Sequence, residues 1–292
     1  MRPQISGEWW RVAGNPDLGK YGTPEQEPVD FAVWQAADGT WQLWSCIRHT
    51  ACGGQTRLFH RWEGADLAQE HWKPKGIPMQ AKVDLGETKG GLQAPHVIKE
   101  DGTYYMFYGD FDRICLARSH DGKSFERVLG KNGHPDLFSG PYEVSRDAMV
   151  LKSNGVFYCY YTGHKEHAQP QAAVFCRTSS DLHDWSDPVV VCAGGAAEAE
   201  KSWFGGDCEC PFVVERKGLF CLFRNQRYGR DQLNTQYCSP DPLDFGVDDD
   251  RFCVGALPVA AAEIIEHADR YYIAALLPDL KGIRVASLDW AD

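Results

Sequence analysis

The stretch RDAMVLKSNGVFYCYY, Arg146–Tyr161, decides the fold. A carboxylate stands at its head, on Asp147. A run of β-forming residues follows, a Ser-Asn-Gly turn reverses it, and a second run, VFYCYY, leads back. That is the signature of a β-hairpin. Four other stretches carry the same plan: DFAVWQAADGTWQLWSCI from Asp30, APHVIKEDGTYYMFYGD from Ala94, ECPFVVERKGLFCLFRN from Glu209 and AEIIEHADRYYIAALL from Ala262. Heads at 30, 94, 147, 209 and 262 are spaced by 64, 53, 62 and 53 residues. Periods of that size belong to propellers or solenoids. The paired runs, joined by Asp-Gly, Asn-Gly, Lys-Gly or Asp-Arg, exclude helical repeats.

A second motif trails each head. It reads SHDGKSF at Ser119–Phe125, SSDLHDW at Ser179–Trp185, SPDPLDF at Ser239–Phe245 and SLDW at Ser287–Trp290, with a degraded copy, GADLAQEHW, at Gly64–Trp72. Its Asp caps a turn and its aromatic residue packs between repeats, so both are scaffold. A head hairpin plus a tail hairpin makes four strands, and five such units make a five-bladed β-propeller. The predicted fold is all-β, one domain over residues 1–292. The last repeat supplies about three strands, so Ser6–Gly14 (SGEWWRVAG) is expected to close the ring from the N-terminus.

Composition narrows the function. The chain of 292 residues has a formal net charge of −11 and no basic block, which argues against nucleic acid as a partner. No 18-residue apolar run exists to span a membrane. No signal peptide is visible at the N-terminus, and with an odd number of cysteines, eleven, this points to reduced thiols in a cytoplasmic protein. Cys208 and Cys210 form the one close cysteine pair, at a spacing unsuited to zinc, and no metal or other cofactor is expected.

In a propeller the innermost strands line the axis, so the heads form a ring at one mouth of the channel. Here that ring reads Asp30, Ala94, Asp147, Glu209, Ala262. Each next strand returns antiparallel to the same mouth, bringing Arg48, His49, Asp110, Asp112, His164, Arg224, Asn225 and Asp279. Three converging carboxylates repel, which raises at least one pKa and leaves an acid beside an ionised carboxylate. Glycosidic cleavage needs that pair. The alternative for each head is a turn cap. Arg146, next to Asp147, is expected to hold that carboxylate ionised, whereas the setting of Glu209 between two cysteines and before Pro211 favours its protonated form. Trp34, Trp203 and Phe204 are candidates to stack on sugar faces. His96 reads as a packing residue more than a base, and His49 and His164 as ligand contacts or plain surface. Glu263 reads as a solvated strand residue that would face the pocket if the register were off by one.

These residues resemble the five-bladed propeller glycoside hydrolases of families 32, 43, 62 and 68. Arg146-Asp147-Ala148 is similar to the Arg-Asp-Pro motif of family 32, and Glu209-Cys210-Pro211 to its Glu-Cys motif. Asp30 stands where family 32 has its nucleophile and family 43 its general base, and Ala94-Pro95-His96 resembles the second blade of family 43. The context of Asp30 departs from family 32, Ala148 replaces a proline, and the family-43 histidine near a central metal has no clear match, His267 falling in a predicted turn. The resemblance implies a glycosidase with Asp30 as nucleophile or base, Asp147 as transition-state stabiliser and Glu209 as general acid. Substrate contacts would come from Trp34, His49, His96, Asp110, Arg146, His164, Trp203 and Arg224. The implied substrate is a small oligosaccharide or glycoside ending in an arabinofuranosyl, fructofuranosyl or xylosyl group. Two alternatives stay open: transfer to phosphate or to another sugar, with Arg48, Arg224 and Arg227 as possible anion contacts, and a sugar-binding propeller without chemistry.

Overall fold

The computed structural model describes residues 1–165, 171–195 and 208–291. Five antiparallel sheets surround a central channel as a five-bladed propeller. After β1 (Arg2–Gly14), blade one is built from β2 (Glu27–Gln35), β3 (Trp41–Arg48), β4 (Leu58–Gly64) and β5 (Lys73–Met79). Blade two comprises β6 (Leu92–Glu100), β7 (Thr103–Asp110), β8 (Arg113–Ser119), the short β9 (Glu126–Arg127) and β10 (Asp136–Ser139). Blade three holds β11 (Val144–Ser153), β12 (Val156–Lys165), β13 (Gln171–Ser179) and β14 (Val189–Cys192). In blade four, β15 (Glu209–Arg216), β16 (Leu219–Arg227), β17 (Leu233–Ser239) and β18 (Cys253–Leu257) follow in order. Blade five takes β19 (Glu263–His267), β20 (Arg270–Leu276) and β21 (Gly282–Ala291), and β1 adds to its outer edge. The pairing of β1 with β21 runs from Arg2↔Ala291 to Gly14↔Gly282, so both ends of the chain share one sheet, as the short fifth repeat requires. Among the described residues no helix is long and apolar enough to cross a membrane.

The tight turns follow their sequences. Asp101-Gly102, Asn154-Gly155 and Lys217-Gly218 each place two successive residues at positive φ, the type I′ geometry that matches strand twist. In blade five the turn is Ala268-Asp269, one residue earlier than the expected Asp269-Arg270, because His267 pairs with Arg270. His267 therefore ends β19, edge-on to Trp41.

The trailing motifs are scaffold. Asp181 Oδ1 accepts the amides of His183 and Asp184, and Asp121 Oδ1 those of Lys123 and Ser124. Each following aromatic packs on the preceding blade: Phe125 against Trp34 and Trp44, Trp185 against Phe107, Phe245 against Tyr160 and Trp290 against Phe223. Trp72 closes the series, its amide bonded to the Val12 carbonyl of β1. These rings fill the wedge between splayed sheets. One expectation is corrected: Cys221 and Cys238, opposite each other on β16 and β17, form a disulfide, and nine cysteines are free.

Candidate active site

Each blade carries one residue in the left-handed region around the same small cavity, within its inner strand in the first four blades and just before it in the fifth: Asp30 (φ 34°), Ala94 (38°), Asp147 (58°), Cys210 (43°) and Ala261 (50°). None is glycine, so each is held there by its surroundings. In the first four blades the ladder slips at this residue, between Val29 and Phe31, Gln93 and His96, Arg146 and Met149, and Glu209 and Phe212. The kink turns these side chains toward the axis. In the fifth, Asn225 Oδ1 accepts the Ala261 amide. The ring is thus Asp30, Ala94, Asp147, Cys210, Ala261. The ring expected from the repeat heads is one residue out in blades four and five: Cys210, not Glu209, is the equivalent of Asp30 and Asp147, and Ala261 replaces Ala262.

The three carboxylates nevertheless meet, at two levels. At the lower one, Asp30, Asp147 and Cys210 present donor atoms within 4.8 Å of one another. The Cys210 thiol donates to Asp30 Oδ1 (3.2 Å), the Tyr228 hydroxyl donates to the same oxygen (3.1 Å), and the Cys210 amide donates to Asp147 Oδ2 (3.1 Å). Such a trio of donor atoms is close enough to share a cation, but the thiol keeps its proton: burial, then the charges of Asp147 and Asp30, push it well above its ordinary pKa. Hydrogen bonds hold the cluster instead.

At the upper level, Arg146 forms a short ion pair with Glu209, and His164 Nε2 lies 3.5 Å from the same oxygen. Tyr228 is also within hydrogen-bonding reach of Glu209, but its single O–H serves one carboxylate at a time and here donates to Asp30. Arg146 Nε stands 3.9 Å from Asp147 Oδ2, so the guanidinium lies between two carboxylates and favours one.

That choice reverses the expected charge order. Burial, then the charge of Asp30, raise Asp147 to about 7 against the pull of Arg146. Burial would raise Glu209 too, but its direct pairing with Arg146 wins and holds it below the usual carboxylate range. Around neutral pH Asp147 is therefore the carboxyl of this site that readily takes up a proton, beside an ionised Glu209. His164, buried and facing Arg146, falls to about 4 and stays neutral.

The other expected contacts do not all gather here. Trp34 is only 7% exposed, wedged between Trp44 and Phe125 with its indole N–H bonded to the Gly122 carbonyl, so it packs blades rather than facing the mouth. His96 lies down the channel, its Nε2 against the Val150 carbonyl, lowered by burial to about 4. Asp110 is buried, accepting the Thr88 amide and facing Arg113. Arg224 is buried over Tyr237, bonded to Cys192 Sγ and the Gly194 carbonyl. His49 is exposed, and its carbonyl accepts Thr23 Oγ1. Trp203 and Phe204 lie outside the described residues. Sequence reasoning missed Tyr228 and the thiol of Cys210. Tyr228 sits past the end of β16 in a loop with no periodic signal, and Cys210 was hidden by the one-residue shift.

No family model matches the chain. A curated relative, 1,2-beta-oligomannan phosphorylase from Thermoanaerobacter sp. (strain X514), is 26% identical over 147 residues, covering 46% of this chain and 42% of the relative's length. Among solved structures, a thermostable family-43 glycoside hydrolase superposes with a TM-score of 0.70 at 18% identity over 93% of both chains. The endo-arabinase of Bacteroides thetaiotaomicron VPI-5482 gives 0.70 at 14% identity, covering 97% of this chain and 98% of that one. A family-43 β-xylosidase/α-arabinofuranosidase from a compost microbial metagenome, in complex with xylotriose, gives 0.62 at 16% identity over 94% and 96%. The chain shares the five-bladed propeller of these enzymes.

Proposed function

We propose that this protein is a glycoside hydrolase that releases a terminal pentosyl or furanosyl group, of the arabinofuranosyl, fructofuranosyl or xylosyl type, from a small oligosaccharide. The observation that carries the reading is the meeting of Asp30, Asp147 and Glu209, from three different blades, with one guanidinium beside Asp147 and Glu209 and a readily protonated carboxyl on Asp147. The fold shared with xylosidases and arabinases supports it.

The roles follow from the bonding. Asp30 accepts from both Cys210 and Tyr228, so it is oriented as a base or nucleophile. Glu209 is the general acid, and it must gain a proton before it can protonate a leaving oxygen. Arg146 controls that step: moved from Glu209 toward Asp147, the guanidinium stabilises Asp147 as its anion and frees Glu209 to take up the proton. A sugar entering between Arg146 and Glu209 would drive the exchange.

A screen of aryl glycosides, furanosides first, with the released anomer followed by NMR, tests the activity. Asp30→Asn and Glu209→Gln should each lower turnover by about 10²-fold or more with the fold intact. Wild-type rates in either variant would remove the assignment. The partial likeness to a phosphorylase supports a second reading, phosphorolysis. Against it, the expected cations do not converge: Arg48 pairs with Glu27, Arg224 is buried against Cys192, and Arg227 bonds the Asp231 carbonyl. Turnover that depends on added phosphate would favour the second reading.

A further inference from the structure

Glu263 opens β19 in the fifth blade. Its side chain lines a cavity of about 20 Å³ together with Asp30, Asp147 and Cys210, and it also lines the wide channel that runs from there to the opposite face of the ring. From sequence it reads as a solvated strand residue that would face the pocket if the register were off by one, and in blade five the register is off by one. The kink at Ala261 turns it onto the axis, where it has no hydrogen bond or ion pair among the described residues.

We propose that Glu263 is a positioning residue of the carboxylate cluster, an uncharged carboxylic acid beneath Asp30 that donates its O–H into the shared cavity and thereby holds the negative charge on Asp30. The inference rests on the role assigned to Asp30 above. The cavity admits one water, so the donation runs through a single bridging water.

The groups that share the small cavity with Glu263 are acidic or uncharged. Asp30 faces it from blade one, Asp147 from blade three, and the neutral Cys210 thiol from blade four. His96, from blade two, is neutral, and the Tyr228 hydroxyl is committed to Asp30. Arg146 is engaged with Glu209, above the cavity. Along the channel, Lys152 and Lys217 belong to the lining, as do Glu215, Glu266 and His267, and Lys152 is paired with Glu100. Burial and the charge of Asp30 accordingly push the Glu263 carboxyl well above its ordinary range. Its contact with the wide channel gives the proton an exit on the face away from the mouth.

Infrared spectroscopy and kinetics together test this. In Asp147→Asn protein at pH 7, which lacks the other protonated acid of the cluster, the carbonyl band of a buried carboxylic acid should persist, and it should vanish when Glu263→Gln is added. A band that survives Glu263→Gln overturns the proposal. In kinetics on an aryl glycoside, Glu263→Gln, which keeps a neutral donor, should stay within about threefold of wild type near pH 7, a difference of under one pKa unit in energy. Glu263→Ala, which removes the donor, should move the acid limb of kcat/KM upward by about half a unit or more. A loss of orders of magnitude in Glu263→Gln would make Glu263 a charged or reacting group and defeat the idea, as would a Glu263→Ala profile lying on that of wild type. Should the wild type cleave no glycoside, the hydrolase reading falls, while the infrared comparison still decides the state of Glu263.

Discussion

Asp147→Asn isolates the charge order of the site, because Asn keeps the size of Asp and readily adopts positive φ. Its amide oxygen can still accept the Cys210 amide that now bonds Asp147. In the wild type the carboxyl is raised from 3.8 to about 7, by burial first and the charge of Asp30 second. A folded-state pKa above the unfolded one means that the native protein holds more protons, so its stability is greatest below the unfolded value and falls as pH rises through the folded one. For 3.8 and 7, the full difference is about 4 kcal/mol, of which roughly 2–3 kcal/mol is lost between pH 5 and pH 8. Glu209 is shifted the other way, so its contribution is lost as pH falls through its lowered pKa, and it adds no slope above pH 5. Glu263 slopes with Asp147 but is present in both proteins and cancels in the comparison. Urea unfolding followed by tryptophan fluorescence at pH 5, 6.5 and 8 should therefore show Asp147→Asn gaining roughly 2–3 kcal/mol on the wild type across that range. A stability difference that stays constant with pH would refute the assignment of the proton to Asp147 and of the guanidinium to Glu209.

Two further outcomes separate chemistry from packing. Tyr228→Phe removes a donor from Asp30 and should lower kcat/KM about tenfold or more, the equivalent of one hydrogen bond to a charged group, with the acid limb displaced upward and thermal stability little changed. An unmoved rate and pH profile would make Tyr228 a wall of the site and nothing more. Trp34→Ala should cost about 3–5 kcal/mol in urea unfolding while KM stays constant, because the ring fills the gap between blades one and two. A raised KM with unchanged stability would restore it as a sugar contact.

Much of this molecule is local in its cause and so is written in the chain. Alternating apolar runs and Asn-Gly or Asp-Gly turns fix hairpins over a few residues, and five copies at regular spacing leave a closed ring as the way to bury their faces. The missing strand of the fifth repeat pointed to the N-terminus for the same reason. The acids at or beside the heads of three repeats were visible before any coordinates.

Register at the kinks was not visible. Whether Glu209 or Cys210 takes the left-handed position depends on how β15 seats against its neighbours, since neither residue prefers that conformation by itself. That one-residue difference lifts Glu209 out of the lower cluster and into the grip of Arg146. Adjacency in sequence assigned Arg146 to Asp147, but distance across the channel assigned it to Glu209, and the proton moved with it. In the same way Trp34, Asp110 and Arg224 are polar or aromatic residues at or near strand ends on paper, and only the packing of blade on blade turns them inward. Local sequence set the strands, their turns and the acids they carry; long-range contact between blades set which of those acids holds a charge.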